Sequence, residues 1–203
     1  MGSEIEIKLG ISREEDIGKI LGDARLGADF GEFAVISMNA RYYDTRELDL
    51  LARNYVVRIR KENGANVATL KKRHKELDSG VMVREEWNHE VPSNSRMKLS
   101  YFTEVEEELE GIVGHKELVE IVETDFIRRI LNVEFQGSQL EMAVDHGKII
   151  SKGQEVPIME VEIELKEGEA EAITGFMEEY LQEYQLPVEM ESKFRRGVDL
   201  FLK

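Results

Sequence analysis

Cysteine is absent, so the chain can form neither a disulfide framework nor a thiolate zinc site. That absence fits a cytoplasmic protein. Proline occurs only three times and no Pro-, Gly- or Ser-rich stretch marks a linker. Residues 1–203 are therefore expected to form a single domain, long enough to bury a substantial core. No apolar run approaches the ~20 residues of a membrane helix and no signal peptide leads the chain, so no membrane partner is expected. Basic residues are in the minority, 27 Lys and Arg against 42 Asp and Glu, for a net charge of −15. The broad basic surface that nucleic acid requires is missing. The four histidines show no metal-ligand spacing, and neither a Walker A sequence nor a Gly-rich dinucleotide loop is present.

The excess of acid is local. Thr103–Glu123 holds eight Glu and one Lys, and Glu169–Glu191 holds seven Glu and no base. Each segment is net −7, so together they carry −14 of the −15 and the rest of the chain is almost neutral. Both read as solvated helical faces. Lys and Arg concentrate instead in segments with a strand's alternation.

That alternation organises the chain. Strands are expected over Ile5–Leu9, Phe33–Tyr43, Tyr55–Lys61, Asn66–Arg73, Val81–Val91, Ile127–Phe135, Gln139–Asp145 and Ile158–Leu165. Helical turns are expected after the capping-box pattern Ser12–Glu15, over Thr45–Leu51, across the acidic stretch Glu104–Glu120, over Ala170–Tyr184 and after Ser192. The fold class is therefore α+β, an eight-stranded antiparallel β-barrel or strongly curved sheet with helices packed outside.

Residues two apart share a strand face. Glu4, Glu6 and Lys8 lie on one face and Ile5, Ile7 and Leu9 on the other. Arg58 and Arg60 oppose Val57 and Ile59; Thr69, Lys71 and Arg73 oppose Ala68 and Leu70; Arg84 pairs with Glu86. Glu141 and Asp145 oppose Met142 and Val144, and Glu160, Glu162 and Glu164 oppose Val161, Ile163 and Leu165. A solvated face would mix signs for cross-strand pairing; rows of one sign repel. If the apolar faces carry the helices, the charged faces line a barrel interior. Carboxylate clusters suit hard cations such as Mg²⁺ or Mn²⁺, and Arg and Lys rows suit phosphate oxygens. Buried together without ligands, such charges would be costly. A polyphosphate with its divalent metal neutralises both sets.

With these elements in order, the sequence resembles the CYTH family, also called triphosphate tunnel metalloenzymes. Glu4-x-Glu6-x-Lys8 resembles its ExExK signature, Tyr43-Asp44-Thr45 its Y-D-T step and Val57-Arg58-Ile59-Arg60 its L-R-I-R. Thr69-Leu70-Lys71, Arg84-Glu85-Glu86, the Asp145-His146-Gly147 turn, Glu162-Ile163-Glu164 and Ser192-Lys193-x-x-Arg196-Gly197 follow in the family's order. The resemblance implies a tunnel that takes triphosphate substrates with Mg²⁺ or Mn²⁺. By position, Glu4, Glu6, Asp145, Glu162 and Glu164 would hold metal, and Lys8, Arg58, Arg60, Lys71, Arg84, Arg128 and Lys193 would hold phosphates. Glu4, Glu6, Lys8, Glu162 and Glu164 form the implied catalytic set.

Arg128 is preferred to Arg129 because it shares a face with polar Asn132, whereas Arg129 aligns with Ile127, Leu131 and Val133. Glu160, Arg41 and Arg73 have no firm motif match. The expected activity is metal-dependent hydrolysis of a triphosphate, inorganic tripolyphosphate first, since the chain ends soon after the last motif. A class IV-type adenylate cyclase and a non-catalytic polyphosphate- or nucleotide-binding module are the alternatives.

Overall fold

A computed structural model describes residues 5–62, 64–73, 84–93 and 95–203, with the side chains of Glu62, Arg73 and Arg84 outside that description. Eight strands form one sheet: β1 (Ile5–Gly10), β2 (Ala34–Asp44), β3 (Tyr55–Glu62), β4 (Ala65–Arg73), β5 (Arg84–Val91), β6 (Val119–Phe135), β7 (Ser138–Ser151) and β8 (Gln154–Glu167). Their spatial order is β1-β8-β7-β6-β2-β3-β4-β5, and every pairing is antiparallel. Among the described residues the barrel is not closed by hydrogen bonds: β1 and β5 are the two edges of the sheet. A chain segment covers the β1 edge, with Gly10 N–H donating to Pro187 O at 2.8 Å and Glu189 N–H to Lys8 O at 2.8 Å. Backbone groups that would otherwise face water on an edge strand are satisfied there.

Two apolar clusters lie on the outer face. Leu9, Leu131, Val133, Met142, Val144, Val161 and Ile163 pack beneath α1 (Glu14–Leu21), α2 (Ala24–Phe30) and α5 (Glu171–Phe176). Tyr55, Val57, Ile59, Ala68 and Leu70 pack beneath α3 (Asp49–Ala52) and α4 (Glu106–Val113). Trp87 joins this second cluster, as its apolar strand face predicts. The last helix departs from the expected arrangement. α6 (Lys193–Phe201) packs on the inner face, where Phe194 and Val198 meet Met38, Ala40, Phe126 and Ile149. Gly197 permits that approach, since a Cβ there would stand 2.3 Å from Val122 Cγ1 and 3.0 Å from Ile149 Cγ2; Gly147 serves the β6–β7 pairing instead, where a Cβ would stand 2.2 Å from Asp125 O.

Other local differences have identifiable causes. Asp145-His146-Gly147 is no turn but the middle of β7; the hairpin closes later, at Lys152 and Gly153, both at positive φ. Ser12 does not cap α1; Arg13 is its N-cap and makes no side-chain capping bond, its guanidinium donating instead to the Asp16 carboxylate. β6 begins at Val119, inside the acidic stretch, because Glu120 and Glu123 pair across to Tyr43 and Arg41 of β2. The helix expected over Ala170–Tyr184 is α-helical only to Phe176 and widens to a π-turn at Met177–Leu181, which keeps Phe176 stacked on Tyr180 at 5.1 Å. The expected start of the fifth strand at Val81 falls outside the described residues.

α2, unanticipated from sequence, starts at the N-cap Asp23, whose Oδ1 accepts from Arg25 N–H at 2.8 Å. Arg25 and the Tyr184 hydroxyl also bind this carboxylate, at 2.8 and 2.9 Å. The Arg25 side chain first, then its backbone N–H and Tyr184, hold Asp23 down at about 2 against the opposing effect of burial. Since its folded pKa lies below the unfolded value of about 3.9, Asp23 adds stability above that value and loses it as pH falls towards 2. Asp23→Ala should cost about 1 kcal/mol at pH 7 in urea unfolding. The difference from wild type should shrink towards pH 2; a constant difference would show that the carboxylate's charge is irrelevant.

Candidate active site

The inner face encloses a cavity of about 230 Å³ whose lining comes from six strands and α6. β1 contributes Glu6 and Lys8, β3 contributes Arg58 and Arg60, β4 contributes Lys71, β6 contributes Arg128, and β8 contributes Glu162 and Glu164. Strands at opposite ends of the sheet order meet around one space, so the sheet must curl almost into a barrel. Of the sequence-expected residues, these eight and Lys193 line the cavity. Glu4 lies outside the described residues, as does the Arg84 side chain. Asp145 does not line the cavity; it sits behind Arg128, fully buried. Arg129 is not in the lining, which agrees with the register argument for Arg128. Arg41 is on the outside, 3.9 Å from both Glu120 and Glu123.

Sequence reasoning missed the remaining wall. Met38, Ala40, Tyr42, Val56, Thr124, Phe126 and Phe194 complete it, so the interior is half apolar rather than uniformly charged. Tyr42 stacks on Phe194 at 5.0 Å, and its hydroxyl accepts from Arg58 Nη1 at 3.4 Å. Burial alone would push its phenol up, but Arg58, with Lys193 and Lys71, holds it below its ordinary value. Tyr43-Asp44-Thr45 proves structural. The buried Asp44 carboxylate accepts from the backbone N–H groups of Thr45, Leu50 and Leu51 at 2.7–2.9 Å, anchoring α3.

The acids and bases are matched across strands. Lys8 stands opposite Glu162 in the β1–β8 register, with Nζ 3.6 Å from Oε1. Lys71 pairs with Glu86 at 2.7 Å. Arg128, Asp145 and Glu160 occupy one row across β6, β7 and β8. Arg128 holds Asp145 in a fork, Nε to Oδ1 at 2.8 Å and Nη2 to Oδ2 at 2.7 Å, and also reaches Glu162 Oε2. Lys193, the first residue of α6, lies 2.7 Å from Asp145 Oδ2 and 2.9 Å from Glu162 Oε1, and contacts Glu160 Oε1. Arg196 donates to Glu160 Oε2 at 2.6 Å. Burial opposes the charge of Glu162, yet Lys193, Arg128 and Lys8 hold its pKa well below the ordinary range. Glu160 is shifted the other way, because burial outweighs the pull of Lys193 and Arg196. Neither Glu160 nor Arg196 had an assigned role from sequence; the signal was their placement two residues before Glu162 and three after Lys193.

A divalent cation fits the cavity wall by donor chemistry. Glu6, Glu162 and Glu164 present carboxylate oxygens, the ligand type that Mg²⁺ and Mn²⁺ prefer. Glu6 also stands directly opposite Glu164 in the β1–β8 register, a like-charge pair that a bound cation would relieve. Lys166, 2.7 Å from Glu164, offsets part of that repulsion.

Known proteins agree with this architecture. A family model, the CYTH domain, matches residues 2–198. An inorganic triphosphatase of Haemophilus influenzae is 34% identical over 202 residues, covering 97% of this chain and 54% of that protein. The chain thus spans about half the length of the curated relative it matches. A solved putative adenylyl cyclase from Hippeastrum, reported to have a dominant triphosphatase activity, has a TM-score of 0.62 at 24% identity over 97% of this chain and 95% of that one. A putative adenylate cyclase from Bacillus halodurans has a TM-score of 0.57 at 19% identity, over 95% and 96%. These two likenesses concern the fold. With the family match running from the first strand into the last helix, around a cavity built from the charged rows of those strands, the chain belongs to the CYTH domain family.

Proposed function

We propose that this protein hydrolyses inorganic tripolyphosphate, or a related small triphosphate, with the help of a divalent cation. The observation that carries the reading is the two-signed cavity: Lys8, Arg58, Arg60, Lys71 and Arg128 share one enclosed space with Glu6, Glu162 and Glu164. The inorganic triphosphatase relative supports the same reaction.

Arg58 and Arg60, two residues apart on β3, present guanidinium groups that suit bidentate contact with phosphate oxygens. Lys8 and Lys71 bring ammonium groups from strands on either side. This cage positions the chain of phosphates and counters the charge on the leaving group as the phosphoanhydride bond breaks. Glu6, Glu162 and Glu164, joined by Glu4, would hold Mg²⁺ or Mn²⁺, which supplies charge neutralisation and an acidified water when bound. The apolar wall of Met38, Val56, Phe126 and Phe194 excludes bulk water and so strengthens these electrostatic contacts.

The test is a phosphate-release panel with Mg²⁺ and with Mn²⁺ on tripolyphosphate, nucleoside triphosphates and thiamine triphosphate. Tripolyphosphate should be cleaved fastest, to diphosphate and phosphate. No release from any of them would sink the reading, and cyclic AMP from ATP as the main product would replace it with a cyclase.

A further inference from the structure

Among the described residues, one group of three carboxylates brings its oxygens within 4.8 Å of one another: Asp145, Glu160 and Glu162. By spacing alone this is where a divalent cation would be sought. We infer instead that the ammonium of Lys193 is the resident cation of that cluster, excludes divalent metal from it, and so confines metal to the cavity face. Lys193 is then a positioning residue for Glu162 rather than a phosphate ligand.

Three observations carry this. First, an ammonium has three N–H donors, and Lys193 Nζ faces three acceptors, Asp145 Oδ2 at 2.7 Å, Glu162 Oε1 at 2.9 Å and Glu160 Oε1. No donor is left over for a phosphate oxygen. Second, all six carboxylate oxygens of the cluster are engaged. Arg128 takes both oxygens of Asp145 and the second of Glu162, and Arg196 takes the second of Glu160. Three acids meet Lys193, Arg128 and Arg196, with Lys8 a fourth base 3.6 Å from Glu162, so the cluster carries no net negative charge. A buried divalent cation would add two positive charges, at a large cost in a low-dielectric interior. Third, Asp145 and Glu160 are fully buried and do not line the cavity, whereas Lys193, Arg128 and Glu162 do, with Lys193 Nζ 5.1 Å from the centre of the Phe126 ring.

Glu162 is shared between the two regions. Its Oε1 accepts from Lys193, and both residues line the cavity. Lys193 therefore sets the orientation in which this carboxylate is offered to the cavity. The inference deepens the metal-dependent reading above for Glu162, but the occupancy it describes is measurable without any triphosphate.

Mn²⁺ alone is the probe. Anomalous scattering from Mn²⁺-soaked crystals of the full chain should show no peak among Asp145, Glu160 and Glu162. Electron paramagnetic resonance titration should count one more bound Mn²⁺ per chain in Lys193→Ala than in wild type, since removing the ammonium takes one positive charge and three N–H donors out of the triad. A wild-type peak inside the triad would overturn the inference, and so would an unchanged count in folded Lys193→Ala. Should that variant fail to fold, the wild-type crystals still decide. Failure to hydrolyse tripolyphosphate would leave this result untouched, so the two readings fall separately.

Discussion

Replacing Glu162 with Gln should lower kcat on tripolyphosphate by at least about 10²–10³-fold, the scale for removing one preorganised electrostatic group from an active site. The substitution keeps the shape of the side chain and an oxygen for Lys193 or Arg128, but removes the charge that a divalent cation needs. Binding should respond in the opposite sense. Glu162 neutralises part of Lys8, Lys193 and Arg128, so its loss leaves the cavity more positive. Calorimetric titration without metal should therefore find tripolyphosphate bound at least as tightly by Glu162→Gln as by wild type. This split between turnover and binding separates a hydrolase from a binding module. Turnover within tenfold of wild type would remove Glu162 from the metal-holding set.

Arg128→Met should be the most destabilising single change in the site. Arg128 is the bidentate partner of Asp145, which is 0% exposed, and it also holds Glu162. Breaking a buried ion pair from one side leaves a carboxylate under-compensated away from solvent, here with Lys193 at 2.7 Å as the remaining partner of Asp145, a loss of about 3–5 kcal/mol. At roughly 2–4 °C per kcal/mol for a chain of this size, the melting temperature should fall by about 10 °C. Desolvation opposes the charge of Arg128, yet hydrogen bonding and attraction from Asp145 and Glu162 raise its pKa above the ordinary value, so it stays charged throughout the usable pH range. Adding Asp145→Leu to Arg128→Met should restore part of the loss, because the under-compensated carboxylate is then gone. Urea unfolding of the two single variants and the double variant measures this. A double variant no more stable than Arg128→Met would show that packing around the arginine matters more than its charge.

Much of this site is legible in the sequence. A strand's period of two is a strong constraint, and it alone put Glu6 with Lys8, Arg58 with Arg60, and Glu162 with Glu164 on common faces. The same rule chose Arg128 over Arg129. Apolar runs on the opposite faces, Val57 with Ile59 and Val161 with Ile163, required an outer layer of helices, and two outer clusters supply it. The antiparallel sheet followed from these patterns, as did the helix after Ser192, whose hydroxyl caps it by accepting from Arg195 N–H at 3.2 Å.

Other features are decided only by contacts between residues far apart in the chain. The acidic stretch around Glu120 and Glu123 reads locally as helix, but pairing along β2 makes it the start of a long strand. Nothing in α6 by itself says that it enters the sheet's inner face; Gly197, bare of a side chain, lets it approach Val122 of β6 and Ile149 of β7. That approach delivers Lys193 to carboxylates 31 to 48 positions earlier in the chain. Alternation could establish that Asp145, Glu160 and Glu162 face inward. It could not tell which of them meet a lysine and which meet the cavity, because that depends on where the last helix comes to rest. Local periodicity thus determined the charged faces of this protein, and long-range packing decided which of those charges neutralise one another and which remain turned towards a ligand.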